Sequence, residues 1–355
     1  MTLCNPRIAQ GDSKDAILNN QGLNHYYKSE LKPALRCFRR ALEIRKCALN
    51  SALRFFLRAL KICEREAPNS LTVAESYINI GTVLRDQGNL EGALKEYHKA
   101  LEIRERDAPN SLTVAMCYNN IGSVLSDQGD MEGALKEYRK SLKIQERDAP
   151  NSLKVATSYN NIGSVLLNQG DLEGALKEYR KSLKIRERYA PNSLTVATSY
   201  NNIGSVLSDQ GDCNGALKEY RRALEILERD APNSLMVATC CHNIGLVLKN
   251  QGDFEGALKE YHTALEIRER DAPKSLTVAT SYHNIGLVLR SDLDGVLKEY
   301  HKALEIQERE SPISLTAATS LMNAGSVLSD QEGDLEEALK SYHNVSCKTS
   351  YSLPA

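Results

Sequence analysis

The sequence contains no tryptophan and only four phenylalanines, and its 45 basic and 46 acidic residues nearly cancel to a net charge of −1. This balance argues against a nucleic-acid partner, because binding phosphates requires an excess of Lys and Arg. It also argues against a polybasic membrane anchor. No run approaches the roughly 20 apolar residues that cross a membrane, and neither end carries a signal-peptide or lipidation pattern. We therefore expect a cytoplasmic protein, including one associated with the cytoskeleton, without membrane insertion.

Motifs that carry chemistry are also missing. The nine cysteines form no C-x-x-C pair and have no zinc-type spacing. Some of them replace another residue of an internal repeat, as Cys241 replaces a tyrosine, and we interpret them as reduced, buried or half-buried side chains. No phosphate loop, Ser-His-Asp order or isolated carboxylate pair occurs. We expect no enzymatic activity, no catalytic residue, no metal and no cofactor.

The sequence does contain a long internal repeat. Prolines, glycines and tyrosines each recur in steps of 41 residues, which composition alone does not explain. The prolines stand at 68, 109, 150, 191, 232 and 273. A fixed period of this length is typical of repeat proteins, in which each unit packs only against its neighbours.

Each repeat predicts two helices. Within residues 151–189, two stretches place apolar residues at the spacing of one helix face. They are Val155, Tyr159, Ile162 and Leu166, then Leu172, Leu176, Tyr179 and Leu183. Between them, Gln-Gly-Asp at 169–171 predicts a helix end followed by a capped helix start. We expect Gly163 and Ala175 to let the two helices approach closely, with Tyr179 filling the space beside them.

One such pair cannot bury both of its apolar stripes, so neighbouring pairs must stack. The predicted fold is all-α, a right-handed α-solenoid (alpha-alpha superhelix) of stacked antiparallel helix pairs. We divide the chain into a disordered tail at 1–14, a degenerate repeat with a long helix at 15–66, an array of seven repeats at 70–345 and a disordered tail at 346–355. The repeats run over 15–45, 70–107, 111–148, 152–189, 193–230, 234–271, 275–309 and 314–345.

Two irregularities interrupt the period. The pattern around Ala34 and Phe38 recurs at Ala52 and Phe56, an offset of 18 residues, and no Gly or Pro lies between Ala34 and Glu66. Eighteen residues make about five helical turns, so we predict one continuous helix with a break in the regular stacking. An erroneous gene model is the competing explanation. The repeat 275–309 lacks two residues, which predicts a tight turn at 291–293.

The repeat resembles a known family. The patterns Y-x-x-I-G-x-x-L at 159–166 and A-x-x-x-Y-x-x-S at 175–182 resemble the tetratricopeptide repeat. The longer unit, with ATSYNNIGSVL, GDLEGALKEY and SLKIRER, is similar to the kinesin light chain and nephrocystin-3 branch of that family. The resemblance covers about nine tenths of the chain and implies a solenoid that binds other proteins.

One asparagine per repeat is predicted to lie on the first helix, opposite its packed stripe. Asn within a helix is unfavourable by roughly half a kcal/mol relative to Ala, and its amide offers both a donor and an acceptor. A row of such amides could bind the backbone of an extended peptide, and the resemblance implies a similar row in related proteins. Recent duplication of the repeat is the alternative explanation. The row comprises Asn79, Asn120, Asn161, Asn202, Asn243, Asn284 and Asn323.

Positions beside this row differ between repeats and are candidates for partner specificity. In two adjacent repeats they combine basic and apolar side chains, which suits a peptide with acidic residues around an apolar anchor. A solvated face with scattered charges explains them equally well, and the histidines lack a third residue for a metal site. These positions are His242, Leu246, Lys249, His283, Leu287 and Arg290.

We predict a non-catalytic scaffold that binds short linear or extended peptide segments of other proteins. A clamp for chaperone C-termini would need Lys or Arg where the chain has Ile78, Asn119, Asn160 and Asn201. A kinesin light chain-like motor-cargo adaptor would need heptads that residues 1–50 do not show. A cilium-type assembly factor, or the regulatory fragment of a larger multidomain enzyme or signalling protein, is a further alternative.

Overall fold

The structure of the protein, a computed structural model, describes residues 31–289, 293–311 and 314–330. All the regular secondary structure within these ranges is α-helical. The helices are α1 Leu31–Glu66, α2 Leu71–Asp86, α3 Leu90–Asp107, α4 Leu112–Asp127, α5 Met131–Asp148, α6 Leu153–Asn168, α7 Leu172–Tyr189, α8 Leu194–Asp209, α9 Cys213–Asp230, α10 Leu235–Gln251, α11 Phe254–Asp271, α12 Leu276–Val288, α13 Leu293–Glu310 and α14 Leu315–Asp330.

The chain forms two compact modules, an N-terminal module that ends at Tyr189 and a C-terminal module that begins at Ala190. In the N-terminal module α2 pairs with α3, α4 with α5 and α6 with α7, and α3 and α5 also pack against the next first helix. In the C-terminal module α8, α10 and α12 pair in the same way with α9, α11 and α13, and α13 packs against α14. This order confirms the all-α fold class of stacked helix pairs.

Within each pair, a tyrosine of the second helix lies against a glycine of the first. Tyr179 is only 2 % exposed, and a Cβ atom built on Gly163 would lie 2.8 Å from Tyr179 Cδ1. Ala175 is completely buried. The predicted close approach of the two helices is therefore confirmed, since a larger side chain at position 163 would displace the tyrosine ring.

The turn between the helices also follows the prediction. Gly170 has a positive φ of 81°, a conformation that glycine adopts without steric cost. The Asp171 N–H donates to the Leu166 carbonyl at 2.9 Å, which closes the end of the first helix. Asp171 Oδ1 then accepts from the Gly174 N–H at 2.9 Å and caps the second helix.

Replacing Asp171 by alanine is expected to lower the free energy of unfolding of the N-terminal module by about 1 kcal/mol, because an N–H group of α7 loses its acceptor. Urea unfolding followed by circular dichroism measures this loss. Lys177→Ala, at an exposed position of the same helix, serves as the control. Equal losses in both variants would contradict a capping role for Asp171.

A polar cluster joins successive pairs. Tyr77 of α2 donates its hydroxyl hydrogen to Glu64 of α1 at 2.6 Å, and the Lys99 ammonium lies 4.9 Å from the centre of the Tyr77 ring. Burial and the adjacent carboxylate raise the pKa of Tyr77 to about 12, so the phenol stays protonated and donates. The repeat 234–271 departs from this pattern, because Cys241 and Thr263 replace the tyrosine and the lysine. The same tyrosine–glutamate bond recurs at Tyr118, Tyr159 and Tyr282.

The predicted long helix is confirmed, since α1 runs without interruption over 36 residues. Its C-terminal half packs against α2 through Phe56, Leu60 and Cys63, as a second helix packs against the next first helix. Several predicted features lie outside the described residues, and the domain limits that depend on them remain predictions. These features are the tails at 1–14 and 346–355, the start of the first repeat at 15–30, the end of the last repeat at 331–345 and the predicted turn at 291–293 except for Leu293, where α13 begins.

Candidate functional site

The predicted asparagine row lies on the first helices, where its members differ in exposure. Asn79 is exposed, and Asn284 is buried, with 7 % of its surface accessible. The remaining five asparagines are half-buried. Most of the row therefore keeps some contact with solvent, which a peptide-binding role requires.

Two members of the row also bond to the preceding repeat. The Asn161 Nδ2 group donates to Asn119 Oδ1 at 3.3 Å, and Asn243 Nδ2 donates to Asn201 Oδ1 at 3.2 Å. An amide has two N–H donors and an oxygen acceptor, so these bonds leave further capacity on Asn161 and Asn243. The asparagines thus help to stack the repeats. The period of a single helix does not reveal this role, because the bonded partners lie 42 residues apart.

A small cavity opens between two first helices of the C-terminal module. Its volume is about 220 Å³, below the roughly 300 Å³ at which ligand pockets begin, so it suits a single side chain. Leu235 and Met236 line it and are 52 % and 38 % exposed, while Leu227 of α9 is buried. Thr198 and Thr239 stand four residues before Asn202 and Asn243, so they share the helix face of the predicted asparagine row. The full lining is Ala197, Thr198, Asn201, Leu227, Leu235, Met236 and Thr239.

The position that Leu227 occupies has a counterpart in every regular repeat. The counterpart is Arg or Gln in the other five repeats, so the leucine makes this one space between first helices apolar. Arg104 is 3 % exposed and its Nε atom is buried without a hydrogen-bond partner in the described part of the chain. The six residues are Arg104, Gln145, Arg186, Leu227, Arg268 and Gln307.

Arg268 is a buried cation beneath the next pair of first helices. Its Nη1 atom donates to Ser281 Oγ at 2.7 Å and to the Thr277 carbonyl at 3.4 Å, and lies 3.3 Å from His242 Nδ1. Within the described ranges no carboxylate pairs with this guanidinium, and burial lowers the pKa of Arg268. A buried charge without a counter-ion is costly, so the site favours an incoming anion.

The histidines of the predicted specificity positions contribute little charge. Burial, with Arg268 and Lys249 nearby, lowers the pKa of His242 to about 4, and burial also lowers the pKa of His283. Both imidazoles are therefore neutral near pH 7. The His242 ring lies 5.6 Å from the ring of Tyr261, in a tilted arrangement. The positive charge of this region accordingly comes from Lys249 and Arg268.

The other predicted specificity positions are partly enclosed. Leu246, Lys249 and Leu287 are half-buried, and Leu287 packs against the core of the last described pairs. Arg290 lies outside the described residues. The sequence pattern of the first helices does not point to Arg268, because this residue belongs to a second helix. The signal that could have found it is the single leucine at a position that is Arg or Gln in the other five repeats.

Within the described ranges, no cluster of three or more His, Cys, Asp or Glu side chains is placed to hold a metal ion. The helices of these ranges also include none with both the length and the apolar character to cross a membrane. Six cysteines are free thiols, of which Cys117, Cys240 and Cys241 are buried, and the others are Cys47, Cys63 and Cys213.

Helix pairs that pack against their neighbours, as they do within each module, define the class of helical-repeat proteins. The family model described as tetratricopeptide repeat matches residues 49–105, 72–147, 154–229 and 237–294, which together cover more than half of the sequence. The chain belongs to the tetratricopeptide repeat family. This family supports a scaffold role in interactions between proteins.

Solved structures with similar folds agree with this assignment. The apo form of RapI is 17% identical, with a TM-score of 0.61 over 79% of this chain and 99% of that chain. BtubC (BKLC) from P. vanneervenii is 24% identical, with a TM-score of 0.57 over 62% of this chain and 91% of that chain. At these identities the likeness shows the fold alone, and it does not support the narrower kinesin light chain and nephrocystin-3 branch. A comparison with curated proteins gives no significant match.

Proposed function

We propose that this protein is a non-catalytic scaffold that binds an extended segment of a partner protein across the open side of its first helices. The observation that carries the proposal is the cavity above Leu227, which has a mostly apolar lining and exposed apolar side chains at its rim. Solvent-exposed apolar recesses of this kind are typical anchor sites for a partner side chain.

The neighbouring groups suit the rest of such a segment. Asn243 and Asn201 lie beside the cavity, and their free amide atoms can bind the N–H and C=O groups of an extended backbone. Arg268 lies one repeat further on and can pair with a carboxylate. The segment that fits best carries an apolar side chain at the cavity and an acidic side chain toward Arg268 and Lys249.

Photo-crosslinking tests the proposal. A photoreactive amino acid at Met236 should capture a partner from a cell lysate, whereas the same group at the exposed Lys259 of α11 should not. Asn243→Ala is expected to weaken capture about three- to tenfold, because one backbone hydrogen bond contributes about 0.5–1.5 kcal/mol. Thermal unfolding of the variant controls for the lost bond to Asn201. Equal capture at positions 236 and 259 would contradict the proposal.

A motor-cargo adaptor of the kinesin light chain kind, or a cilium-type assembly factor, would be a particular form of this scaffold. The same residues would then hold a cargo or an assembly partner. Co-sedimentation of the full chain with kinesin heavy chain separates the adaptor from the other forms, because only the adaptor binds the motor.

A further inference from the structure

The C-terminal half of α1 is a second helix without a first helix of its own. Ala52, Phe56 and Ala59 match the alanine, tyrosine and alanine that pack against the first helix in a regular repeat. In the repeat 70–107 the last of these, Ala100, is completely buried, whereas Ala59 is exposed.

The isoleucine of this stripe shows the difference most clearly. Ile62 is 58 % exposed, whereas its counterpart Ile103 is 6 % exposed. The corresponding isoleucines of four other repeats are also buried. They are Ile144, Ile226, Ile267 and Ile306. A face that a helix covers elsewhere in the chain is thus bare on α1.

This face also differs from the regular repeats in sequence. All six regular repeats have glutamate at the position before the conserved tyrosine, and α1 has Phe55 there, with 73 % of its surface exposed. Phe55, Ala59 and Ile62 follow the spacing i, i+4, i+7, so they form one apolar stripe on the helix. If the first helix of this repeat had simply been deleted, we would expect the second helix to retain the glutamate. The glutamates are Glu96, Glu137, Glu178, Glu219, Glu260 and Glu299.

The charge of α1 is strongly positive although the whole chain is nearly neutral. The helix contains ten basic and three acidic residues, a net charge of +7. In the regular repeat Lys99 pairs with Glu96 at 2.8 Å, but its counterpart Arg58 has Phe55 at the position of the acid. Arg54, Arg58 and Lys61 are exposed, and none of them forms an ion pair with another described residue.

We infer that this bare face of α1 (Phe55, Ala59 and Ile62, bordered by Arg54 and Arg58) docks an amphipathic, acidic helix of a partner protein. The occupant is a helix because a helix covers the equivalent face in each regular repeat. It is acidic because the basic residues beside the stripe form no ion pair within the described part of the chain. A small residue of the occupant faces Phe56, as Gly81 faces the ring of Tyr97.

Binding of designed peptides to the full chain tests this inference. The probe is a fluorescent peptide that keeps the apolar stripe of residues 193–211, a regular first helix, and carries glutamate at its other helical positions. The matched control peptide carries lysine there. We expect the acidic peptide to bind at least tenfold more tightly than the basic one, and its affinity to fall as salt is added.

The Phe55→Glu variant distinguishes docking of the peptide at this face from a general effect of charge on peptide binding. Glutamate stands at this position in every regular repeat, so the variant is expected to fold, and it should weaken binding of the acidic peptide at least tenfold. His98→Glu on α3 adds a negative charge at an exposed position of a covered helix and should change binding less than twofold. Circular dichroism confirms that both variants fold.

Four results would overturn the inference. One is no binding of the acidic peptide to the full chain, which includes the case in which residues 1–30 already occupy the face. Another is equal binding by the Phe55→Glu variant. The third is binding to phosphatidylserine vesicles, rather than to the peptide, that depends on Phe55. The fourth is a dimer in analytical ultracentrifugation that Phe55→Glu dissociates. Crosslinking at Met236 is independent of all four, so the proposed function stands or fails separately.

Discussion

Replacing Tyr179 by alanine lowers the free energy of unfolding of the N-terminal module by an expected 3–5 kcal/mol, about the cost of removing a buried aromatic ring. The ring fills the space over Gly163, and its hydroxyl is 2.9 Å from Ser164 Oγ. Alanine would leave a cavity between α6 and α7, since the backbones are held apart by their other contacts. Guanidinium unfolding followed by circular dichroism measures the change.

Tyr189→Ala provides the matched control for this experiment. Tyr189 ends the same helix but is 57 % exposed, so its removal should cost less than about 0.5 kcal/mol. Comparable losses in the two variants would show that the ring of Tyr179 does not hold the helix pair together. Such a result would also call the packing of the equivalent tyrosines into question.

Acidification is expected to destabilise the C-terminal module through His242, by up to about 3 kcal/mol between pH 6.5 and pH 4. The unfolded imidazole takes up a proton below about pH 6.5, whereas burial lowers the folded pKa to about 4. The unfolded state therefore binds more protons in this window, and stability is lost as the pH falls through it. Arg268 and Lys249 face the imidazole and oppose its protonation.

His242→Asn isolates this contribution. Asparagine stands at the equivalent position of three other repeats, so the substitution should preserve the fold while removing the titrating group. We expect the thermal midpoint of the variant to change less with pH than that of the unmodified chain over pH 4–6.5. His262→Asn, at an exposed site on α11, should leave the pH dependence as it is. If the thermal midpoints of the unmodified chain and of the His242→Asn variant changed equally with pH, the buried imidazole would not be the cause of the pH dependence.

Much of the fold follows from periodicity alone. Helix boundaries, the turn at Gly170 and the long α1 are predictable because local sequence determines them: the apolar spacing, the left-handed glycine and the absence of breakers. The close approach at Gly163 is predictable for the same reason, since only small residues recur at that point.

The chemistry of the candidate site is less predictable, because it depends on contacts between repeats. The bond from Asn243 to Asn201 and the position of Arg268 beneath His242 join residues of different helices. Burial then lowers the pKa of His242, an effect that a single-helix pattern cannot give. Peptide binding by the asparagine row and the specificity positions stays a prediction.

The repeat 234–271 lacks the polar cluster of tyrosine, glutamate and lysine, and this affects how the C-terminal module unfolds. In the repeat 275–309, Tyr282, Glu269 and Lys302 join one helix pair to the next, but Cys241 and Thr263 offer neither a phenol nor an ammonium. In a linear array, cooperativity passes only from neighbour to neighbour. We therefore expect the junction ahead of α10 to open more readily than the junction at Tyr282, because it lacks this polar cluster.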